Sequence, residues 1–349
     1  MGKKNLKQFV ALFLVFALCL TAVVGCGKKE ADETKTSGNT DQEKQEDTGK
    51  DADSSQSQTK KKYLIGFSSK QASNPFQSEL IQGAQQAIDA ETTEFVMLDA
   101  NSDAAKQNND FEDLIEMGCD AIIFVPYDSL GLGAAIKKAH DAGVILINID
   151  NPVDDESAKL VDATVVSDNY QAGQLCAENL AKALDGKGDI GAYTVPTSLA
   201  STLRSQGFFE TLESDYPDVK VVNSQTGVTG QTDAALPVME NILQSTPDIV
   251  GMFGYCDTAA EGCISAIKSA GKLDQIKVVS VDGSTDGKVH IRSGAMLGSA
   301  AQFPGKVAGQ GVEAAYTLLE GGSVEKFVYV PTEWVNKDNV DSVKNFLNE

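Results

Sequence analysis

From Tyr63 onward, the apolar positions of this chain form short runs of β-prone residues. Between them lie longer stretches with an apolar residue every three or four positions. Runs bounded by turn residues predict buried strands, and the three- and four-residue spacing predicts amphipathic helices. Residues 63–68 read as a strand. Phe76, Leu80, Ala84, Ala87 and Ile88 share one helical face across 76–90. A strand at 95–98, a helix at 103–117 stopped by Gly118, a strand at 121–125, a helix at 129–142 and a strand at 144–149 complete a first series. The second series opens with a strand near 164–166 and continues with helix 169–184, strand 189–195, helix 203–212, strand 219–222, helix 232–243, strand 249–253, helix 258–270 and strand 278–281. Pro237 predicts a kink or a later start in its helix, because proline removes a backbone donor. A short helix near 286–291, a strand near 297–301, a helix at 305–319 and a strand at 327–330 follow. Such alternation predicts an α/β chain whose parallel sheets carry helices on both faces.

Two strands end on an acid. The run from Val144 to Ile149 leads into Asp150, and the run from Val278 to Val281 leads into Asp282. The segments Asp120 to Asp150 and Asp248 to Asp282 also share one plan: strand, helix, Ala-Gly, strand, acid. This repetition predicts two similar lobes with an acid at the same place in each. In open α/β sheets, ligands bind beyond the carboxyl ends of the strands. Polar residues at or just after strand ends are therefore the candidate site: Asn74 and Phe76 around Pro75, then Asp150, Arg204, Asp282 and Gln302. Carboxylates accept from paired hydroxyls, a guanidinium supplies donors in a fixed fork, and an aromatic ring covers an apolar C–H face. Those are the needs of a carbohydrate. Strand-end aspartates also serve as helix caps, and Phe76 is equally suited to a core.

The first 62 residues follow a different pattern. Lys3, Lys4 and Lys7 precede an apolar stretch at 9–24 that is short for a membrane span. It leads to Val23-Val24-Gly25-Cys26, which resembles a bacterial lipobox. Residues 1–25 are thus expected to be a lipoprotein signal peptide, with Cys26 lipidated and the protein exported and anchored on the outer face of the cytoplasmic membrane. An uncleaved anchor helix is the alternative. Residues 26–62 are rich in Lys, Glu, Asp, Ser, Thr and Gln and predict a disordered tether.

The formal net charge of −21 excludes a basic nucleic-acid surface and serves solubility. Cys119, Cys176, Cys256 and Cys263 show no C-x-x-C pair and no His/Cys ligand spacing, so buried thiols are expected rather than zinc. There is no G-x-S-x-G, P-loop or H-E-x-x-H motif, and His140 and His290 sit near predicted helix ends. A binding protein without metal, cofactor or catalytic residues is expected.

Several motifs together resemble the sugar-binding proteins of bacterial ABC importers, nearest to the ribose-binding type. They are Asn74-Pro75-Phe76, Ile149-Asp150, Val166-Ser167-Asp168-Asn169, Arg204 with Gly207-Phe208, Val238-Met239-Glu240-Asn241, Val281-Asp282-Gly283 and Gln302-Phe303-Pro304. The resemblance implies two Rossmann-like lobes joined by three crossovers, residues 63–167 with 303–331 and residues 168–302 with 332–349, closing by hinge motion on a ligand between them. It implies ligand contacts at Asn74, Phe76, Asp150, Arg204, Asp282 and Gln302. Three positions depart from the ribose-binding pattern: Gln77 where a second phenylalanine is usual, Asn151 where an arginine is usual, and Cys256 where an asparagine is usual. Gln77 and Asn151 still form hydrogen bonds, which fits a polyhydroxy ligand without fixing ribose. Two acids against one arginine disfavour an anionic sugar. The implied partners are a sugar or polyol and the ABC permease subunits, with the protein acting as a monomer. A sensory component that presents its ligand to a membrane receptor has the same fold and is the alternative.

Overall fold

The computed structural model describes residues 63–347. The expected signal peptide, Cys26 and the tether lie outside the described residues. Two six-stranded sheets form, in the orders β11-β5-β4-β3-β1-β2 and β12-β10-β9-β8-β6-β7. The first contains β1 (Tyr63–Ser69), β2 (Thr93–Asp99), β3 (Ala121–Phe124), β4 (Ile145–Ile149), β5 (Ala163–Ser167) and β11 (Phe327–Val330). The second contains β6 (Gly188–Thr194), β7 (Val219–Thr226), β8 (Gly251–Gly254), β9 (Lys277–Asp282), β10 (Gly298–Ala301) and β12 (Glu333–Asn336). Only the β10–β12 pairing is antiparallel among the described strand pairs. The expected architecture of two α/β lobes is the one observed, and the internal repeat has a direct structural meaning. The β3-to-β4 and β8-to-β9 units occupy the same places in their sheets, so Asp150 and Asp282 emerge at equivalent points.

Each sheet is buried on both faces. On the first, α1 (Pro75–Ala87) and α10 (Pro304–Leu319) cover one face, with Leu80, Ile123, Ile147 and Val312 in the core between. On the other face lie α2 (Ala104–Glu116) and α3 (Gly133–Asp141), packed through Phe111, Leu114, Ile122 and Ile136. On the second sheet, α5 (Asn169–Ala183) and α6 (Leu199–Asp215) oppose α7 (Thr232–Ser245) and α8 (Asp257–Ser269). The short α4 (Asp155–Ala158) follows β4, and α9 (Thr285–Ser293) follows β9. The chain passes between sheets after Ser167, after Ala301 and after Val330.

Some elements differ from the sequence reading. The strand at 163–167 pairs with β4, so it belongs to the first sheet and does not open the second series. The helix expected from Ser129 starts at Gly133, because Asp128 Oδ1 accepts from Leu130 N at 2.9 Å and turns the chain there. The helix expected from Leu203 starts at Leu199, where Ser198 caps it by accepting from Ser201 N. Pro237 lies inside α7 without delaying its start. Its missing donor falls opposite the carbonyl of Asp233, an exposed residue in the first turn. β12, around Trp334, and α4 had no counterpart in the periodicity. The four described cysteines are free and buried, as the sequence predicted.

Candidate functional site

A cavity of about 480 Å³ opens between the carboxyl ends of the two sheets. All nine candidate residues line it: Asn74, Phe76, Gln77, Asp150 and Asn151 from the first lobe, Arg204, Cys256 and Asp282 from the second, and Gln302 at a crossover. Local sequence explains their placement. Asn74 ends the β1 loop, and its Oδ1 caps α1 by accepting from Phe76 N at 2.9 Å and Gln77 N at 3.3 Å, while Pro75 sets the first turn. Its Nδ2 group is left for the cleft.

The strand-end aspartates are the strained points of the site. Asp150 has φ 66° and Asp282 φ 130°, both in a region that L-residues adopt at a cost. Neither caps a helix; Asp154 caps α4 and Ser284 caps α9. Each carboxylate instead receives a glutamine amide and a cation. Asp150 Oδ2 accepts from Gln77 Nε2 at 3.1 Å and Lys70 Nζ at 3.2 Å. Asp282 Oδ1 accepts from Gln302 Nε2 at 2.6 Å and from Arg204 Nη1 at 3.5 Å. The Oε1 atoms of both glutamines are buried and meet no donor among the described residues. Nor does Asp150 Oδ1.

Arg204 is held from behind. Its Nε donates to Asn169 Oδ1 at 2.8 Å and Nη1 to Tyr255 O at 3.0 Å, while Nη2 finds no acceptor among the described residues. The guanidinium reaches this point because α5 and α6 nearly touch. A Cβ on Gly173 would meet Arg204 O at 2.0 Å, and one on Gly207 would meet Tyr170 O at 2.1 Å.

Asp282 rests on a second buried acid. Asp257 opens α8, and its N–H donates to Asp282 Oδ2 at 3.3 Å, so the positive end of that helix faces the carboxylate. The Asp257 side chain accepts from Ser280 Oγ, from Ser299 Oγ at 2.7 Å and from Ser284 N and Oγ, each at 2.7 Å. Burial pushes the Asp282 carboxyl up to about 7, against the pull of Arg204 and with a contribution from the Asp257 charge. Burial likewise raises Asp257, opposed by its serine donors.

Two candidates sit in the lining with their polar atoms engaged. Asn151 Nδ2 donates to Pro126 O at 3.2 Å and Ser129 Oγ at 3.0 Å, and Oδ1 accepts from Ser198 Oγ and Ala200 N, each at 3.2 Å. The last two contacts cross from one lobe to the other. Cys256 Sγ lies 3.6 Å from Gly230 O and 3.4 Å from Thr258 Oγ1, and burial raises its thiol to about 11, so it is a neutral wall.

Sequence reasoning missed Lys70 and Tyr255. Lys70 follows β1 directly and Tyr255 follows β8, so the strand-end rule that found the aspartates also reaches them. Lys70 corrects the pairing: each strand-end acid faces a cation of its own.

A family model described as a periplasmic binding protein domain matches residues 65–323. The ribose import binding protein RbsB of Bacillus subtilis (strain 168) is 34% identical over 279 residues, covering 79% of this chain and 88% of that protein. Among solved structures, an ABC transporter periplasmic solute binding protein from Actinobacillus succinogenes 130z with bound D-allose superposes with a TM-score of 0.75. It is 28% identical and the match covers 81% of this chain and all of that one (100%). An ABC transporter solute binding protein from Bacillus halodurans C-125 with bound myo-inositol gives a TM-score of 0.75 at 25% identity, covering 81% and 97%. These similar proteins are solute-binding proteins, not enzymes.

Proposed function

Because the chain belongs to the periplasmic binding protein family, we propose that it is an extracytoplasmic receptor for a neutral sugar or polyol, held in the cleft between its lobes. The observation that carries this is the pair of opposed aspartates, each oriented by a glutamine amide and a cation. Each set keeps acceptors for ligand hydroxyls, and Asn74 Nδ2 and Arg204 Nη2 keep donors. Phe76 supplies an apolar face. Each strand-end acid is already paired with a cation, so the ligand need carry no charge to match it. Asn151 is read as a latch that draws the lobes together, because its amide is already fully bonded.

The lobes would comprise residues 63–167 with 303–331 and 168–302 with 332–349. Cys26 would carry the lipid that keeps the protein at the outer membrane face, with residues 26–62 as tether, and the closed, loaded form would dock on an ABC permease. Relatives that bind ribose, D-allose and myo-inositol support the ligand class. Isothermal calorimetry of the full chain against pentoses, hexoses and inositols tests it. Saturable one-to-one binding of at least one is expected; binding of none overturns the proposal.

A further inference from the structure

The segment after β12 crosses behind the cleft. Val340 and Val343 pack into the second lobe's core. Lys288, buried on α9, donates Nζ to Val343 O at 2.8 Å and to Asn345 Oδ1 at 2.7 Å. Asn345 Nδ2 then donates to Asp282 O at 3.1 Å and to Gln302 O at 2.7 Å. Those are the backbone carbonyls of the two residues that face the cleft from this side. The next residues reach the other lobe: Phe346 meets Phe76 edge-on at 6.2 Å, and Leu347 N donates to Glu79 Oε2 on α1 at 2.7 Å.

We propose that Asn345 is a positioning residue for the ligand site, and that residues 343–347 form a strap tying Asp282, Gln302 and α1 together from behind. Asp282 supplies the physical need. Its φ of 130° is costly, and such a conformation persists only where its surroundings over-determine it. Its carbonyl is held twice, by Gln302 N at 2.9 Å and by Asn345 Nδ2. Gly283, at φ 63°, continues the turn. A Cβ there would stand 2.5 Å from Ala301 Cβ and 3.3 Å from Asn345 Nδ2, so the turn is pressed directly onto the strap. Without the amide donors of Asn345, the Asp282 peptide is free to relax, and its carboxylate leaves the geometry shared with Gln302 and Arg204.

The substitution Asn345→Asp separates positioning from general stability. It retains an acceptor for Lys288 but puts a carboxylate oxygen where the donors to Asp282 O and Gln302 O had been. Two readouts on the full chain decide. In the unliganded protein, amide hydrogen exchange at Gly283 and Gln302 should speed up at least tenfold, with β6 and β8 unchanged. Titration with D-ribose, D-allose and myo-inositol should give at least tenfold weaker binding of whichever wild type binds. The affinity arm rests on the sugar-binding reading and the exchange arm does not. If wild type binds none of the three, that reading suffers while exchange still judges the strap. Asn345→Ala, which adds no charge, is read the same way if N345D does not fold. Wild-type exchange at Gly283 and Gln302 in a folded Asn345 variant overturns the proposal.

Discussion

Gln302 Nε2 donates to Asp282 Oδ1 at 2.6 Å, and this bond ties the end of one strand to the crossover that leaves the next. Across the cleft Gln77 does the same for Asp150. The two aspartates occupy equivalent places in two sheets of equivalent order, yet their supporting amides come from unrelated positions, one on the first turn of a helix and one between lobes. The symmetry is chemical as well as topological: each half of the cleft presents an oriented acid beside a cation.

The raised Asp282 carboxyl makes stability depend on pH in a defined direction. Between the ordinary aspartate value of about 4 and about 7, the folded protein keeps a proton that the unfolded chain has released. The folded state then binds more protons, so the contribution of this group to stability falls as pH rises through that window. Asp282→Asn mimics the protonated form. The Tm of unliganded wild type should therefore drop relative to D282N between pH 4 and pH 8; a constant gap contradicts the assignment. Ligand hydroxyls favour the ionised form, so wild-type affinity should rise from pH 6 to pH 8.

Lys70 pairs with Asp150 at 3.2 Å while its own side chain stays 29% exposed. An ion pair this open to solvent contributes less than about 1 kcal/mol to folding. Lys70→Met should leave Tm within about 3 °C. It should weaken ligand binding roughly 3- to 10-fold, on the order of 1 kcal/mol, because one of the two groups that orient Asp150 is lost. Calorimetry and thermal melts on one preparation check both.

Asn151 joins the lobes through Ser198 and Ala200. Truncation to alanine removes those bonds and leaves buried donors unpaired, at about 1–3 kcal/mol in the closed form. The loss should appear mainly as a faster ligand off-rate, roughly 10-fold, with the on-rate changed less. Stopped-flow kinetics measures the two separately. An unchanged off-rate would remove Asn151 from the closure.

Gly207→Ala tests how Arg204 is placed. The added methyl would lie 2.1 Å from Tyr170 O, so α5 and α6 must part. A loss of about 2 kcal/mol or more in urea unfolding is expected, together with weaker ligand binding, since the helix that moves carries Arg204.

The alternation of strands and helices was plain in the periodicity, and the equivalence of Asp150 and Asp282 could be read from the repeated strand-helix-strand plan. The features that escaped depend on long-range contacts. β5 pairs with β4, a placement that the periodicity alone misses and that the family resemblance, with its first lobe ending at residue 167, gives. α6 begins one turn early because Ser198 caps it. The bonds that Asn151 makes to Ser198 and Ala200, 47 and 49 residues away, left no local signal in the sequence. Lys288 and Asn345, separated by 57 residues, show no local signal of their contact.

Titration of the full wild-type chain, D150A and D282A with the tightest-binding sugar or inositol tests the central claim most directly. Each substitution removes one oriented acceptor and the carboxylate that its cation and glutamine share, so each should weaken binding about 100-fold or more, on the order of 3 kcal/mol, while both variants melt cooperatively. Wild-type affinity in either variant would contradict the account that two facing aspartates hold the ligand.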